Sequence, residues 1–412
     1  MNESQLPKVN IQGLERKSKM LLSISPSEQE GLEIGPLCWP IVTKRESNGK
    51  IYYVDYSKAE YLREKYKNNK AVNINEIVET DYLWGEKTLP EIVDGRLFDY
   101  VIASHVIEHV PNMLGWLQEI SEVLKDDGTL SLAIPDKRYT FDIKRELTSM
   151  GELIEAYLLN RRRPTPKSIF DHKSLSCKVD MVLAWNGGIQ LDKLEHSGSL
   201  KAAHLSAQQY LATDQYQDVH VNILTPSRFL DLIEASCQLG LFNYVFSAFH
   251  DTFYNSHEFL VSLKRIPRHL SKEQILELQL SNISQIREKI ETSGVNIVVA
   301  DSASDQLQQL NVKNIKIAVS MMNIGSSNAQ DLTVIADTNL PTLIDMTLKE
   351  TNPLTGEIIG NNTFASINVG ESRTMLLVVT LKEFKGRNLN IHLKVCNSSG
   401  EVVGYKEIKL NF

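Results

Sequence analysis

Over the first 265 positions, short continuously apolar runs alternate with segments of helical spacing. GLEIG (31–35) predicts a short strand closed by a turn, and KIYYVD (50–55) predicts a second, rich in β-branched and aromatic residues. SKAEYLREKY (57–66) has helical spacing, with Ser57 as N-cap and Glu60 at the capping-box distance. NEIVETD (75–81) is a weaker third strand. FDYVIAS (98–104) is apolar through its centre, as fits a strand buried on both faces. PNMLGWLQEISEVLKDDG (111–128) predicts an amphipathic helix between Pro111 and Gly128, followed by the strand GTLSLAIPD (128–136).

The stretch 137–222 lacks clean periodicity and contains RRRPTP (161–166) and GG (187–188). TPSRFLDLIEASCQLG (225–240) then reads as a helix with Thr225 as N-cap, Pro226 at its first position and Gly240 as its stop. LFNYVFSAF (241–249) and HEFLVSLKR (257–265) are close enough to pair antiparallel. The expected fold class is α/β: a doubly wound, Rossmann-like, mostly parallel sheet of about seven strands, interrupted by an insertion.

After an amphipathic helix over 269–292, the period changes to two. Runs at 312–323, 331–337, 342–350, 371–381, 388–397 and 404–412 are separated by turn signals such as NIGSSN and NSSG, an all-β sandwich pattern. The expected organisation is a catalytic domain over 1–268, with residues 137–222 inserted to receive an acceptor, a helical linker over 269–293, and a β-sandwich over 294–412.

Composition sharpens this division. The chain has 412 residues, 42% of them hydrophobic and 23% charged, which excludes a largely disordered or fibrous protein. No apolar run approaches the roughly 18 residues of a membrane span, and MNESQLPKVN lacks a secretory core. Cys38, Cys177, Cys237 and Cys396 are far apart, giving neither a disulfide framework nor a zinc knuckle. A cytoplasmic protein is expected. Of 30 aromatic residues, only Phe364, Phe384, Tyr405 and Phe412 lie beyond position 300. The net charge of -7 falls mostly before position 300, with 34 basic against 40 acidic residues there and 10 against 11 after it. That balance disfavours a nucleic-acid partner.

Doubly wound sheets bind ligands at the carboxyl ends of their central strands. Three such ends carry chemistry: Glu33–Gly35, Asp55, and Ser104–His105. An acidic residue at the second strand end suits a ribose, so a nucleoside-bearing cofactor is expected. A dinucleotide requires a GxGxxG turn to cradle its pyrophosphate. Here Gly35 is followed by Pro36, Leu37, Cys38, Trp39 and Pro40, and the two prolines have no amide proton to offer. NAD and FAD are thereby disfavoured. S-adenosylmethionine has no phosphate and needs only close backbone approach at one glycine, a ribose acid and a polar residue near the adenine. Glu33 and Gly35 are expected near the methionyl part, Asp55 at the ribose, Asp81 at the adenine, and Ser104 and His105 on the cofactor floor.

LEIG, YYVD and FDYVIASHVIEHVPN…LKDDGTLSLAIPD resemble the first motif, the ribose acid and the fourth-to-fifth-strand block of class I S-adenosylmethionine-dependent methyltransferases. The resemblance spans roughly 30–265. The run from DKRYTFD (136–142) to HEFLVSLKR resembles a bacterial group often encoded beside glycan-assembly enzymes. It implies O-methylation of a saccharide or other small acceptor. The first motif departs from the family's GxGxG, leaving Gly35 as its only glycine.

Catalytic candidates are His109, His172 beside Asp171, and His220 in Asp218-Val-His220, because an Asp–His pair can hold an imidazole as general base. His196 and His204 are weaker candidates of the same kind. Asp136, Lys137, Arg138 and Tyr139, at the end of the fifth strand, are substrate candidates. HVIEH (105–109) formally matches a zinc-peptidase pattern, which needs one continuous helix. His105 follows a strand and Pro111 opens the next helix, so no metal is assigned. Arg161–Arg163 read as a solvated face. MMNIGSSNAQDLTVIAD and INVGESRTMLLVVTL resemble immunoglobulin-like modules, and the scarcity of aromatics there favours docking or homo-oligomerisation over sugar stacking. The competing readings are a non-catalytic scaffold and a nucleotide-sugar epimerase or dehydrogenase carrying NAD(P).

Overall fold

The structure, a computed structural model, describes residues 11–412 except 186–188, 214–216, 254–255, 294–296, 302–313, 324–328, 339–343, 353–354, 356, 368–371, 382–387, 399, 401 and 412. The chain divides into two compact units, Met1–Ser284 and Gln285–Phe412.

The first unit runs α1 (Ile11–Met20), β1 (Gly31–Ile34), β2 (Ile51–Asp55), α2 (Ala59–Tyr66), β3 (Tyr82–Leu83), α3 (Leu89–Ile92), β4 (Phe98–Ser104), α4 (Met113–Val123) and β5 (Leu124–Pro135). Four insertion helices follow: α5 (Met150–Leu158), α6 (Pro166–Leu175), α7 (Met181–Trp185) and α8 (Leu200–Thr213). Then come α9 (Pro226–Gln238), β6 (Tyr244–His250) and β7 (Glu258–Arg265), and α10 (Lys272–Ser293) runs across the boundary between the two units. The sheet order is β3-β2-β1-β4-β5-β7-β6. Strands β1 to β5 pair parallel, while β7 runs antiparallel to both β5 and β6. This is the expected doubly wound sheet of seven strands with an antiparallel final pair.

The continuous apolar runs become central strands because both faces are covered. Tyr100, Val101, Ile102 and Ala103 of β4 are all buried. β1 lies so close to β4 that a Cβ on Gly31 would fall 2.1 Å from Cζ of Tyr100. Helix α9 is bounded as expected. Thr225 Oγ1 accepts the Arg228 amide (3.2 Å), and Gly240 takes φ +68° beyond the last turn.

Three boundaries differ. Lys58 rather than Ser57 precedes α2. Helix α4 starts at Met113, capped by Asn112, and gives way at Leu124 to β5, which pairs there with Phe98. The third strand lies at Tyr82–Leu83, whereas Ile74–Glu76 forms a 3₁₀ turn. The glycine pair 187–188 lies outside the described residues.

The second unit is all β: β8 (Ile297–Asp301), β9 (Asn314–Asn323), β10 (Ala329–Thr338), β11 (Ile344–Thr351), β12 (Thr363–Ile367), β13 (Ser372–Leu381), β14 (Asn388–Cys396) and β15 (Val402–Asn411). Its strand order is β11-β13-β9-β8-β15-β14-β10-β12. All pairings are antiparallel except a single parallel pair between β15 and β8. Alternate residues from β9 to β15, among them Val319, Leu332, Phe364, Leu377 and Leu393, form one core. β8 and β12 are additional to the six runs predicted. Phe364 is a core residue and Tyr405 pairs with His392, while 384 and 412 lie outside the described residues. All four cysteines are free and buried. Among the described residues, no helix is long and apolar enough to cross a membrane.

Candidate active site

A cavity of about 360 Å³ opens at the carboxyl ends of β1, β2, β3 and β4. Gly35, Asp55, Trp84 and His105, each at or just beyond one of these ends, line it. Gly35 turns the chain with φ +68°, and its amide donates to Val54 O (2.8 Å). A Cβ there would stand 2.9 Å from Cγ2 of Val106, itself a wall residue. Asp55 is nearly buried. Desolvation pushes its carboxyl up to about 6, against the Tyr56 amide that Oδ1 accepts (2.7 Å) and against Lys65. Trp84 and Trp116 stack with centroids 6.3 Å apart, and both indole Nε1 groups are buried without a partner. An unsatisfied buried donor is costly, so each suits a ligand acceptor. Arg161, Arg162 and Arg163 also line the cavity, paired with Glu155, Glu119 and Glu86.

The other wall is a histidine array. His105 takes φ +55°, a left-handed conformation that costs about 1–2 kcal/mol in a non-glycine residue. Residues 107–109 form one 3₁₀ turn. Asn222 Nδ2 donates to the carbonyls of Ile107 and Val110 (2.8 Å each), and the Val221 and Asn222 amides donate to Glu108 O. This clamp brings His220 beside His109, their rings meeting edge to face at 4.7 Å. Glu108, 1% exposed, lies between the imidazoles, and neither carboxylate oxygen has a hydrogen-bond partner. Its Oε1 is 3.6 Å from His105 Nδ1, 3.8 Å from His109 Nε2 and 3.9 Å from His220 Nε2.

Residues 31–130 match a family described as "Methyltransferase domain". The match covers about a quarter of the chain and spans β1 to β5. No curated protein matches the chain. Among solved structures, the CcbJ methyltransferase from Streptomyces caelestis is 11% identical, with a TM-score of 0.31, covering 61% of this chain and 89% of that one. The StiE O-methyltransferase is 14% identical, with a TM-score of 0.29 and coverage of 68% and 85%. A hemolysin-like protein from Streptococcus thermophilus is 13% identical, with a TM-score of 0.30 and coverage of 70% and 79%.

Within the first unit, the expected residues separate. Gly35, Asp55, His105 and His109 line the cavity, and His220 stands behind it against Glu108. Ser104 does not line it; its hydroxyl accepts from Arg16 Nη2 (2.8 Å), and Arg16 also grips Glu258. Asp81 is displaced because it precedes β3 instead of ending it. Its Oδ2 accepts the Tyr53 amide and Lys44 Nζ, both at 2.7 Å. The residues that do follow β3 on the cavity wall are Trp84, Gly85 and Glu86, and their only sequence signal is an aromatic–glycine pair after a weak strand.

His172 faces away from the cavity wall, toward His220. Its Nδ1 accepts the His220 amide (3.2 Å), and burial, with His220 nearby, pushes it down to about 3. Asp136, Lys137, Arg138 and Tyr139 form a structural knot rather than a cavity wall. Asp136, wholly buried, holds Arg138 at 2.6 Å and accepts from Thr252 Oγ1. Lys137 Nζ donates to Arg145 O, and Tyr139 stacks on Trp185 at 4.0 Å. The Arg161–Arg163 run, expected to be solvated, instead borders the cavity because Glu119 and Glu86 come from distant elements to meet it.

Glu33 also leaves the expected set. Its Oε1 and Oε2 accept the Ile41 and Val42 amides (2.7 and 3.1 Å), and burial pushes its carboxyl up to about 7. Glu33→Ala would orphan two amides inside the protein, at about 1–3 kcal/mol each. Denaturant unfolding is expected to show a loss of about 2–6 kcal/mol for this variant. Ligand binding in the cavity is expected to be unchanged when the folded variant is titrated.

Proposed function

We propose that the protein is an S-adenosylmethionine-dependent O-methyltransferase acting on a small, hydroxyl-rich acceptor, a saccharide being the class that fits best. The observation that carries this reading is the pairing of a carboxylate at the end of β2 with a left-handed glycine turn at the end of β1, on one cavity. That pairing suits a nucleoside held without phosphates, since the GPLCW turn, with prolines at 36 and 40, offers no pyrophosphate cradle. The buried, unpartnered Trp84 and Trp116 indoles support an occupied cavity of this polarity.

When bound, S-adenosylmethionine supplies an electrophilic methyl on its sulfonium. Asp55 accepts hydrogen bonds from the ribose hydroxyls, and the Gly35 turn lets the backbone approach the methionyl part. Trp84 and Leu62 flank the adenine. The His105–His109 wall receives the acceptor hydroxyl, opposite the methyl. The alternating Arg161–Arg163 and glutamate rim offers donors and acceptors to further hydroxyls and screens the reacting end from bulk water. Holding the two partners in line accounts for about 7–11 kcal/mol of the barrier. The β unit serves docking or self-association rather than sugar stacking, since it offers few aromatic residues.

The test is transfer of labelled methyl from S-adenosylmethionine across a panel of monosaccharides, nucleotide sugars, glycolipids and phenols. Label on a sugar hydroxyl is expected. Label confined to phenols or lipids would overturn the acceptor class.

A further inference from the structure

We propose that Glu108, His109 and His220 form a binding site for one divalent first-row transition-metal ion on the inner side of the cavity wall. Potential ligand atoms of Glu108, His109 and His220 already lie within 4.8 Å of one another. The three imidazole nitrogens stand 3.6–3.9 Å from Glu108 Oε1. That is too long for hydrogen bonds, and close to the roughly 3–4 Å separating ligands that share an ion at 2.0–2.2 Å.

The outer contacts point the same way. The ring nitrogen turned away from Glu108 lies beside a carboxylate in every case: His105 Nε2 hydrogen-bonds Glu258 (2.8 Å), His220 Nδ1 hydrogen-bonds Asp142 (2.5 Å), and His109 Nδ1 stands 3.0 Å from Asp218 without hydrogen-bond geometry. Each carboxylate is itself held, by Arg16, Arg145 and Lys65 respectively. A carboxylate behind a histidine fixes the N–H on the outer nitrogen and aims the inner lone pair at a metal. The inner nitrogens of His109 and His220 then face a buried, unpartnered carboxylate. Three electron-pair donors so placed suit a cation held between them. Imidazole donors select Fe²⁺, Co²⁺ or Zn²⁺ over Mg²⁺ and Ca²⁺.

The zinc-peptidase geometry set aside from the sequence is indeed absent, because His105 and His109 do not share a helix. They converge instead through the left-handed turn at His105 and the clamp from Asn222. His109 and His220 are thus assigned as ligands rather than as a base. An ion here would hold the acceptor oxygen as a further ligand through the His105–His109 side. That role rests on the proposed methyl transfer, whereas cation binding does not.

The full chain, stripped with chelator, would be titrated with Zn²⁺ by calorimetry and metal analysis, and with Co²⁺ by visible absorption. One ion per chain is expected, with ligand-field bands typical of nitrogen ligation. Glu108→Gln should abolish stoichiometric binding, and Asp218→Asn should weaken it about 10–100-fold. His220→Asn, read through the cobalt bands, serves if Glu108→Gln does not fold. Asp55→Ala should bind the ion as the wild type does. Absence of a stoichiometric ion, or binding undiminished in both Glu108→Gln and His220→Asn, would overturn the site. S-adenosylhomocysteine binding, measured on the same stripped protein, reports separately on the methyltransferase reading.

Discussion

Asp55→Ala is expected to weaken S-adenosylhomocysteine binding more than 100-fold. Hydrogen bonds from hydroxyls to a carboxylate contribute about 1.5–3 kcal/mol each, and a ribose supplies two. The summed loss of about 3 kcal/mol corresponds to roughly two decades in Kd. Asp55→Asn, which keeps the shape but loses the charge, should fall between wild type and alanine. The same residue sets a pH dependence. Burial pushes Asp55 up to about 6, Lys65 favours its ionised form, and Asp218 opposes it. Hydroxyl donors bind the ionised form, so affinity should be full above that pKa and decline as the pH falls through about 6. Calorimetric titration between pH 5 and 8 checks the sign, and Asp55→Asn should flatten the profile.

Arg145→Ala is expected to cause a large stability loss, about 3–5 kcal/mol. Arg145 and Asp142 are both buried and joined at 2.8 Å, and Arg145 Nη2 also donates to His220 O (2.9 Å). Burial alone would raise the Asp142 carboxyl, yet His220 and Arg145 hold it down at about 2. Removing the guanidinium leaves that charge inside the protein with only an imidazole to answer it. Denaturant unfolding of the first unit should show the loss. The double variant Asp142→Leu/Arg145→Met should recover much of it, because an apolar pair incurs no desolvation penalty.

Residues whose position follows from strand order were legible in the sequence. The buried runs of β1, β2, β4 and β5 and the period-two segments after 312 report directly on burial, and Gly35, Asp55 and His105 follow from where those strands end. Asp81 was misplaced because β3 is only two residues long, too short to leave a periodic signal. Glu33 was placed near the methionyl part because its actual partners are backbone amides of a proline-bounded loop, which no side-chain pattern encodes. The Arg161–Arg163 run looks solvated when read alone; its glutamate partners lie up to 77 positions away. The histidine array was least visible. His220 meets Glu108 only through the Asn222 clamp, a contact across more than 100 positions.

The most direct test of the central claim is calorimetric titration of the wild-type chain with S-adenosylhomocysteine at pH 7.5. One-to-one binding that NAD⁺ neither mimics nor displaces is the expected result. Absence of heat from a folded protein, or NAD⁺ binding in its place, would contradict the assignment of this cavity to methyl transfer.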